Sequence, residues 1–381
     1  MARYRLLKFD VVHPMSYLHS KQEAWDDLNE LSQEEYRTRL NRLRSNYSDY
    51  YTYHLDDEVW EAEEYYLLDP VYTRKVAREL HGMQRWGRRL ITNLKTRIRP
   101  SAGEWSTQVV EDYIRAYEPD VLFPRSQPLP SSFWQQFRDD CLLVARLSAR
   151  MPKNWHPEHF DVLYTDHPVF RDFFELHDVP TYINDQGFDE RILSEVEDNG
   201  RPRDVTFVGG LGTHNFSRRT ELLERVAAEI PSFKWWGYWW PSWDDSQPTE
   251  DFPNLQRTFQ GPTSGVEMFQ IYRDSKVVLN DYVDTADGLG VNQRMYEVLG
   301  VGAFMLTREA PNFDEDFPTR PFETFENAGE CLDKIQYFLE HGTERQQIAE
   351  EGQEYVLKHF NYSDIIREFD HTLRRHLEGK H

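Results

Sequence analysis

The chain has 381 residues, which is too long for one ordinary hydrophobic core and fits two domains. Its 66 acidic and 44 basic side chains give a formal net charge of −22, which makes nucleic acid an unfavourable partner. The two cysteines, Cys141 and Cys331, have no CxxC or Cys/His spacing, which argues against a disulfide framework and a zinc site and indicates a reducing, cytoplasmic location.

The basic residues are 10 lysines and 34 arginines, so the surface is acidic and poor in lysine. Such a surface favours solubility in high salt and predicts a halophilic source. No stretch of about 18 uncharged apolar residues occurs, and the first ten residues lack the apolar core of a signal peptide. We therefore expect no transmembrane segment, and any membrane contact would be peripheral.

The first predicted element is a strand, because Leu7, Phe9 and Val11 alternate with polar residues. The charged run from residue 20 to 45 predicts a surface helix or a helical pair. The tyrosine-rich stretch from residue 47 to 66 remains unassigned. Aromatic residues in it either stack on an acceptor or fill a core, namely Tyr50, Tyr51, Tyr53 and Trp60.

From residue 105 the sequence alternates between helix and strand patterns. The predicted strands are 121–123, 141–144, 161–165 and 181–183, and the intervening helices include 132–138 and 169–176. After a polar stretch the alternation restarts, with strands at 205–208, 233–236, 277–279 and 303–306 and helices at 217–230, 266–273 and 293–299. This order predicts parallel sheets covered on both faces.

The predicted fold is therefore α/β, with two Rossmann-like domains facing each other across a cleft. The expected boundaries are an N-terminal domain at 1–190, a linker at 191–203, a C-terminal domain at 204–362 and a final helix at 363–381. Within the C-terminal part, Gly342 is expected to close a helix at 328–341. A capping box formed by Thr343 and Gln346 is expected to open the next helix.

A glycine-rich loop follows the predicted strand at 205–208. Gly209 and Gly210 would let the backbone approach a diphosphate, and Arg218 and Arg219 at the next helix start would add positive charge. The glycine spacing matches neither a dinucleotide fingerprint nor a P-loop. A tight turn that needs glycine is the equally favoured alternative.

A second polar constellation lies between Ser275 and Thr307. Asn292 and Arg294 would face a diphosphate at a helix start, and Glu297 could accept hydrogen bonds from a ribose diol. From the residues alone, an ion pair between Arg294 and Glu297, three positions apart on a helix, is the simpler interpretation.

The segment from 204 to about 373 resembles the C-terminal domain of GT-B glycosyltransferases, the group 1 type, and specifically the spore-maturation-type (CgeB-like) group. The resemblance rests on VTFVG at 205–209, SKVVLN at 275–280, NQRMYE at 292–297 and GAFMLT at 302–307. Further matches are FEN at 325–327, IAEEG at 348–352 and HFNY at 359–362. The first half matches more loosely, at EPDVL (118–122), FDVLYT (160–165) and QGFD (186–189).

The resemblance implies a nucleotide diphosphate sugar, such as a UDP-sugar, as donor. It implies that Glu297 binds the ribose and that Arg294 and Arg218 or Arg219 neutralise the diphosphate. Retaining members of the larger related family carry another glutamate eight positions before the ribose glutamate, where this chain has Leu289. Stereochemistry is therefore left open. We expect no cofactor and no metal, since no DxD-like context stands out near Asp284 and Asp287.

Two further sets of candidates complete the expected site. Tyr238 and Trp239, in a tryptophan-rich cluster, either stack on a sugar or base or pack in a core. A base for the acceptor hydroxyl is expected after a strand, and the leading candidates are His13 and Asp166.

The predicted function is metal-independent transfer of a sugar from a nucleotide diphosphate sugar to an acceptor, which is a glycan, a lipid-linked molecule or a small molecule. The alternatives are a nucleotide-sugar epimerase of the same fold and a non-catalytic carbohydrate-binding or surface-assembly protein.

Overall fold

The computed structural model of the chain describes residues 3–45, 48–81, 104–147, 152, 154–166, 168–183, 186–240, 248, 250–284, 290 and 292–380. By their internal contacts these residues form two compact units. Unit 1 comprises Met1–Val12, Trp25–Asp185 and Ile366–His381, and unit 2 comprises His13–Ala24 and Gln186–Ile365.

The strands are, in chain order, β1 (Tyr4–Asp10), β2 (Trp60–Tyr66), β3 (Val121–Pro124), β4 (Leu142–Arg146), β5 (Val162–Thr165), β6 (Thr181–Ile183), β7 (Arg203–Val208), β8 (Leu211–Gly212), β9 (Phe233–Trp236), β10 (Trp239–Trp240), β11 (Ser275–Asn280), β12 (Met305–Arg308) and β13 (Glu323–Phe325). The helices are α1 (Met15–Ala24), α2 (Gln33–Arg42), α3 (Tyr50–His54), α4 (Pro70–His81), α5 (Glu104–Tyr117), α6 (Ser131–Gln135), α7 (Pro168–Glu175), α8 (Ser217–Glu229), α9 (Pro253–Thr258), α10 (Gly265–Arg273), α11 (Gln293–Gly300), α12 (Phe313–Asp316), α13 (Ala328–Glu340), α14 (Gly342–His359) and α15 (Tyr362–Lys380).

Each unit is built on a parallel sheet. Among the described residues, the sheet of unit 1 has six strands in the order β2-β1-β3-β4-β5-β6, and the main sheet of unit 2 has five in the order β13-β12-β11-β7-β9, while β8 and β10 form a separate two-stranded sheet. The strand pairs within both sheets are parallel, as the alternation of helix and strand in the sequence predicts. The predicted α/β class with two Rossmann-like domains is confirmed.

The core of unit 2 has one cluster on each side of its sheet. The cores are made by alternate residues of the buried strands: Val205 and Val277 belong to one cluster and Val208 and Val278 to the other. Because the strands are buried on both faces, they read in the sequence as continuous apolar runs. This apolar pattern explains why these strands could be predicted from the sequence.

The tyrosine-rich stretch contains α3 and β2. Tyr50, Tyr51 and Trp60 are each at most 2% exposed and fill the core of unit 1, whereas Tyr53 is 58% exposed. Of this aromatic group, Tyr53 alone presents a large surface to solvent. Residues 25–32 separate α1 from α2, so the charged run before this stretch is a helical pair.

The predicted caps around Gly342 are wrong. α13 ends at Glu340, and α14 begins at Gly342 with His341 between them and with no side-chain cap. The His341 ring stacks on Tyr337 at 3.8 Å between ring centroids, and the His341 backbone N–H donates to the Tyr337 carbonyl. The helix breaks at His341 itself, whose φ of −100° and ψ of 64° are not helical, and not at a glycine followed by a capping box.

Candidate functional site

The candidate site lies in unit 2 at the carboxyl ends of neighbouring strands. β12, β11, β7 and β9 are adjacent in the sheet, so the loops that leave them meet at one edge. Open parallel sheets bind ligands at this edge. The glycine-rich loop follows β7, and Asn280 ends β11.

Arg294 is the centre of the site. Its Nε donates to the Val208 carbonyl at 2.7 Å, and its Nη1 donates to Asn280 Oδ1 at 2.6 Å. Its guanidinium lies over the Phe207 ring, with Cζ at 4.6 Å from the ring centroid. These contacts hold the guanidinium against the ends of β7 and β11. An arginine held this way presents its charge in a fixed place.

The glycines of the loop are needed because other groups occupy the space of a side chain. A Cβ at Gly209 would overlap Arg294 Nη2, and a Cβ at Gly237 would overlap the Gly209 carbonyl. Gly209 and Gly237 also have φ of 155° and 140°, which side chains rarely adopt. A Cβ at Gly210 would lie 2.6 Å from the Tyr238 ring. The loop is thus both a tight turn and a close approach to Arg294.

Asn280 connects the strand ends through its side-chain amide. Its Nδ2 donates to Thr307 Oγ1 at 3.0 Å, and its Oδ1 accepts from both Arg294 Nη1 and Asn292 Nδ2, the latter at 3.1 Å. No local pattern beyond a polar residue at the end of an apolar strand marks Asn280 as a site residue, and its partners are distant in sequence.

Glu297 lies on α11, one turn after Arg294, and is 9% exposed. Burial raises the pKa of its carboxyl to about 7, and the positive charge of Arg294 offsets only part of this rise. Among the ion pairs of the described residues, none joins Glu297 to Arg294, whose Nε and Nη1 bind other groups. The simple interpretation of a helical ion pair is therefore wrong. Tyr272 lies close by, and burial together with Glu297 raises its pKa.

The two neighbouring arginines of α8 differ in exposure. Arg219 is 4% exposed and donates from Nη1 to the Asp281 carbonyl at 3.1 Å and from Nη2 to the Gly210 carbonyl. Burial and the nearby Arg294 lower its pKa to about 9. The side chain of Arg218 is 47% exposed, and its Nη2 lies 3.5 Å from Asp281 Oδ1. Arg219 thus binds backbone carbonyls of Gly210 and Asp281 and holds the glycine-rich loop in place. Arg218 is exposed enough to bind a ligand.

Asp284 binds a backbone N–H group. Its Oδ2 accepts a hydrogen bond of 2.7 Å from the Ser217 backbone N–H at the start of α8. In the part of the chain that the structure describes, no group of three or more His, Cys, Asp or Glu residues is placed to hold a metal ion. Asp287, and Leu289 at the position of the second family glutamate, lie outside the described residues.

His13 and Tyr238 lie together, although they are far apart in sequence. Their rings meet edge to face, with centroids 4.9 Å apart and an interplanar angle of 76°. Burial lowers the pKa of His13 to about 4. Because Tyr238 also packs on Gly210, the imidazole lies one ring away from the glycine loop. Trp239 is 4% exposed and packs on Phe252 at 5.3 Å, which favours the alternative of core packing.

Asp166 lies in unit 1, just after β5. Its Oδ2 accepts a hydrogen bond of 3.2 Å from Arg146 Nη2 at the end of β4. Neither Arg146 nor Asp10, at the end of β1, was predicted as a site residue. Asp10 Oδ1 lies 3.1 Å from Arg125 Nη1. Although burial alone would raise the pKa of Asp10, Arg125 and a buried lysine lower it below its usual value.

Part of the chain resembles a known protein family. Residues 218–370 match a family model described as glycosyl transferase-like. No curated protein matches the sequence. In the described parts of the chain, no helix has both the length and the apolar composition needed to cross a membrane.

Solved structures with this fold cover nearly the whole chain. HepE from Anabaena, solved in complex with UDP and glucose, has a TM-score of 0.58 at 13% identity, covering 98% of this chain and 100% of its own. α,α-Trehalose 6-phosphate synthase from Burkholderia multivorans has a TM-score of 0.56 at 11% identity, covering 100% of both chains. A putative UDP-N-acetylglucosamine 2-epimerase from Listeria monocytogenes has a TM-score of 0.53 at 9% identity, covering 99% and 98%. At these identities the likeness establishes the GT-B fold.

Proposed function

We propose that the protein is a glycosyltransferase that moves a sugar from a nucleotide diphosphate sugar to an acceptor without a metal ion. The observation that carries this proposal is the position of Arg294, fixed by Val208 and Asn280 against the glycine of the loop. The match of residues 218–370 to a glycosyl transferase-like family supports it independently.

In this proposal the donor binds along the start of α11. Arg294 and Arg218 neutralise the diphosphate, and the backbone at Gly209 and Gly210 approaches it closely. Glu297 accepts hydrogen bonds from the ribose diol once its carboxyl is ionised. Two guanidinium groups supply the positive charge that a metal ion provides in other enzymes, so the leaving diphosphate is stabilised by the protein itself.

The proposed reaction forms a bond between the acceptor oxygen and the anomeric carbon. The bond from that carbon to the diphosphate oxygen breaks, and the nucleoside diphosphate leaves with the electron pair. The acceptor hydroxyl gives its proton to a base, for which His13 is the favoured candidate. Its lowered pKa of about 4 keeps the imidazole unprotonated at neutral pH, although it also makes the ring a weaker base than an ordinary histidine.

Asp166 is the second candidate base. Its carboxylate follows β5, and its Oδ2 accepts a hydrogen bond from Arg146 Nη2. We favour His13 because its ring contacts Tyr238, which packs on the glycine loop at the carboxyl edge of the sheet. Comparing variants of both residues will decide between them.

Within the fold, we propose membership of the CgeB-like group and UDP as the nucleotide. The motifs at 275–280 and 292–297 support the group. The nucleotide is proposed from the Anabaena protein, whose structure contains UDP. The acceptor is a glycan, a lipid-linked molecule or a small molecule.

The function can be tested with a panel of UDP-, GDP- and ADP-sugars, each incubated with and without sugar, sugar phosphate and lipid-linked acceptors. Release of nucleoside diphosphate only when an acceptor is present supports glycosyl transfer. An isomerised nucleotide sugar formed without acceptor would instead identify an epimerase. Donor binding with no turnover by any acceptor would identify a non-catalytic binding protein.

A further inference from the structure

Asn292 has an unusual position for a residue that precedes a helix. Asparagine at this position normally accepts a hydrogen bond from a backbone N–H of the first turn, but the Asn292 side chain caps nothing. Its Nδ2 donates instead to Asn280 Oδ1 at 3.1 Å. Within the described residues, its Oδ1 is buried and has no hydrogen-bond partner.

The orientation of this amide is fixed by Arg294. A guanidinium can only donate, so the Asn280 atom that receives Nη1 of Arg294 must be oxygen. The same oxygen faces the amide of Asn292, which must therefore present its nitrogen. Rotating the Asn292 amide by half a turn would place two oxygens against each other. The atom of Asn292 without a partner is thus an oxygen, which can only accept.

An acceptor cannot bind a diphosphate, whose oxygens are also acceptors. This chemistry argues against the expectation that Asn292 faces the diphosphate, and it leaves that contact to Arg294. A buried acceptor without a donor is unfavourable, and a ligand that supplies an O–H or N–H group removes the penalty. Asn292 is therefore suited to a hydroxyl-bearing part of the donor.

The order of residues along the start of α11 shows which part this is. Asn292 and Arg294 meet on the same oxygen of Asn280, and Glu297 lies one turn of α11 beyond Arg294. A nucleotide sugar has its ribose on one side of the diphosphate and its transferred sugar on the other. With Glu297 on the ribose and Arg294 on the diphosphate, Asn292 is left for the transferred sugar.

We propose that Asn292 Oδ1 accepts a hydrogen bond from a hydroxyl group of the transferred sugar, which makes Asn292 a specificity-determining residue for the donor. This inference rests on the proposed function. In this proposal Asn292 recognises the sugar and contributes nothing to the affinity for the nucleotide.

The test compares wild type with Asn292→Ala by calorimetry, using UDP, GDP and ADP and their glucose conjugates. Wild type should bind one conjugate more tightly than its nucleotide. In Asn292→Ala the affinity for that conjugate should fall about three- to tenfold, the loss expected for one neutral hydrogen bond, while the affinity for the nucleotide is unchanged. The control is Asn254→Ala on α9, whose amide donates to Glu224, and it should change neither affinity.

Deoxyglucose conjugates of the same nucleotide identify the hydroxyl. One of the 2-, 3-, 4- and 6-deoxy compounds should bind wild type more weakly, and Asn292→Ala should bind it as well as the parent conjugate. Combining the residue change with the removal of a ligand hydroxyl makes a double-mutant-type cycle, which separates the energy of this contact from effects of the substitution on folding. An equal loss for nucleotide and conjugate in Asn292→Ala would overturn the inference and leave the proposed function standing. A wild type that binds none of the nucleotides or conjugates would overturn both.

Discussion

Arg294 Nη1 and Asn280 Oδ1 are joined by a 2.6 Å hydrogen bond that ties the start of α11 to the end of β11. The bond fixes the orientation of both side chains, since arginine can only donate. It also explains why residue 209 is a glycine, because the other terminal nitrogen of Arg294 occupies the space of a side chain there. The charge proposed to hold the diphosphate is therefore positioned before any ligand binds.

Replacing Arg294 by lysine should weaken the binding of UDP and UDP-glucose to a similar extent. A lysine ammonium cannot bond Val208 and Asn280 in the geometry of the guanidinium and still meet the diphosphate. Loss of one charge-assisted hydrogen bond costs about 1.5–3 kcal/mol, so we expect a decrease of roughly ten- to a hundredfold by calorimetry. Arg225→Lys, at an exposed pair with Glu229 on α8, is the matched control. Unchanged affinity in Arg294→Lys would refute the role.

Nucleotide binding should depend on the ionisation of Glu297. Its pKa of about 7 means that the carboxyl is protonated below that pH in the free protein. The ionised form accepts hydrogen bonds from a ribose diol more strongly, so the affinity for UDP should rise between pH 6 and pH 8. Glu297→Gln should bind more weakly at pH 8 and lose this rise. A pH profile shared by wild type and Glu297→Gln would exclude the ribose role.

Stability should depend on pH through Glu64 in unit 1. Glu64 is 3% exposed, lies opposite Lys8 in the sheet, and burial raises its pKa from 4.5 to about 7. When folding raises the pKa of a carboxyl, protonation of that carboxyl favours the folded state. This contribution to the free energy of unfolding is complete below about pH 4.5. That stability, on the order of 2–4 kcal/mol, is lost as the pH rises through 7.

Glu64→Gln should therefore be more stable than wild type at pH 8 and about as stable at pH 4, measured by urea denaturation. The glutamine keeps the acceptor for Asn41 Nδ2, which donates to Glu64 Oε2 at 3.2 Å. Glu61→Gln, at a solvent-exposed position on the same strand, should change stability by less than about 0.5 kcal/mol at either pH. A variant destabilised at pH 8 would contradict the assignment.

Removal of His13 should affect turnover more than binding. If His13 takes the proton of the acceptor, His13→Ala should lower kcat by about 10²–10⁴-fold and leave the affinity for UDP-glucose within about twofold. His19→Gln, at an exposed position on α1, should leave both unchanged. Because the pKa of His13 is about 4, wild-type kcat should show no titration of His13 near pH 6.5. If Asp166→Asn alone abolishes turnover, the base is Asp166.

The net charge of −22 predicts that stability increases with salt. Screening of repulsion is nearly complete at 1 M salt, where the Debye length is about 3 Å. A surface adapted to high salt should gain further stability above about 1 M KCl, measured as the urea midpoint across a salt series. A midpoint that is the same with and without salt would refute a halophilic origin.

Much of the fold could be predicted because strands and helices have local signatures. The apolar runs at 205–208 and 275–280 and the helix pattern at 293–300 lie at nearly the predicted positions. The break at His341 could not be predicted, because it lies in the backbone conformation of a histidine and involves neither a closing glycine nor a capping box. The short strand β13 was also missed, since three residues carry too little periodicity.

The candidate site was predictable as a region and only partly as a set of contacts. Arg294 and Glu297 were identified as candidates, but the alternative of an ion pair between them could be rejected only from the structure. Arg219 was expected at the diphosphate, and the structure shows it buried against backbone carbonyls. Nothing in the sequence separates it from its neighbour Arg218, which is half exposed.

The sequence by itself determined the α/β class and the order of most elements, because these follow from hydrophobic periodicity, and the polar residues at strand ends pointed to the edge proposed as the ligand site. Only the tertiary structure decided the partners. Arg294 bonds a carbonyl 86 positions away, and the His13 ring meets Tyr238. Such pairs are set by how helices and loops pack on the sheet, and no local pattern records which distant atoms will meet.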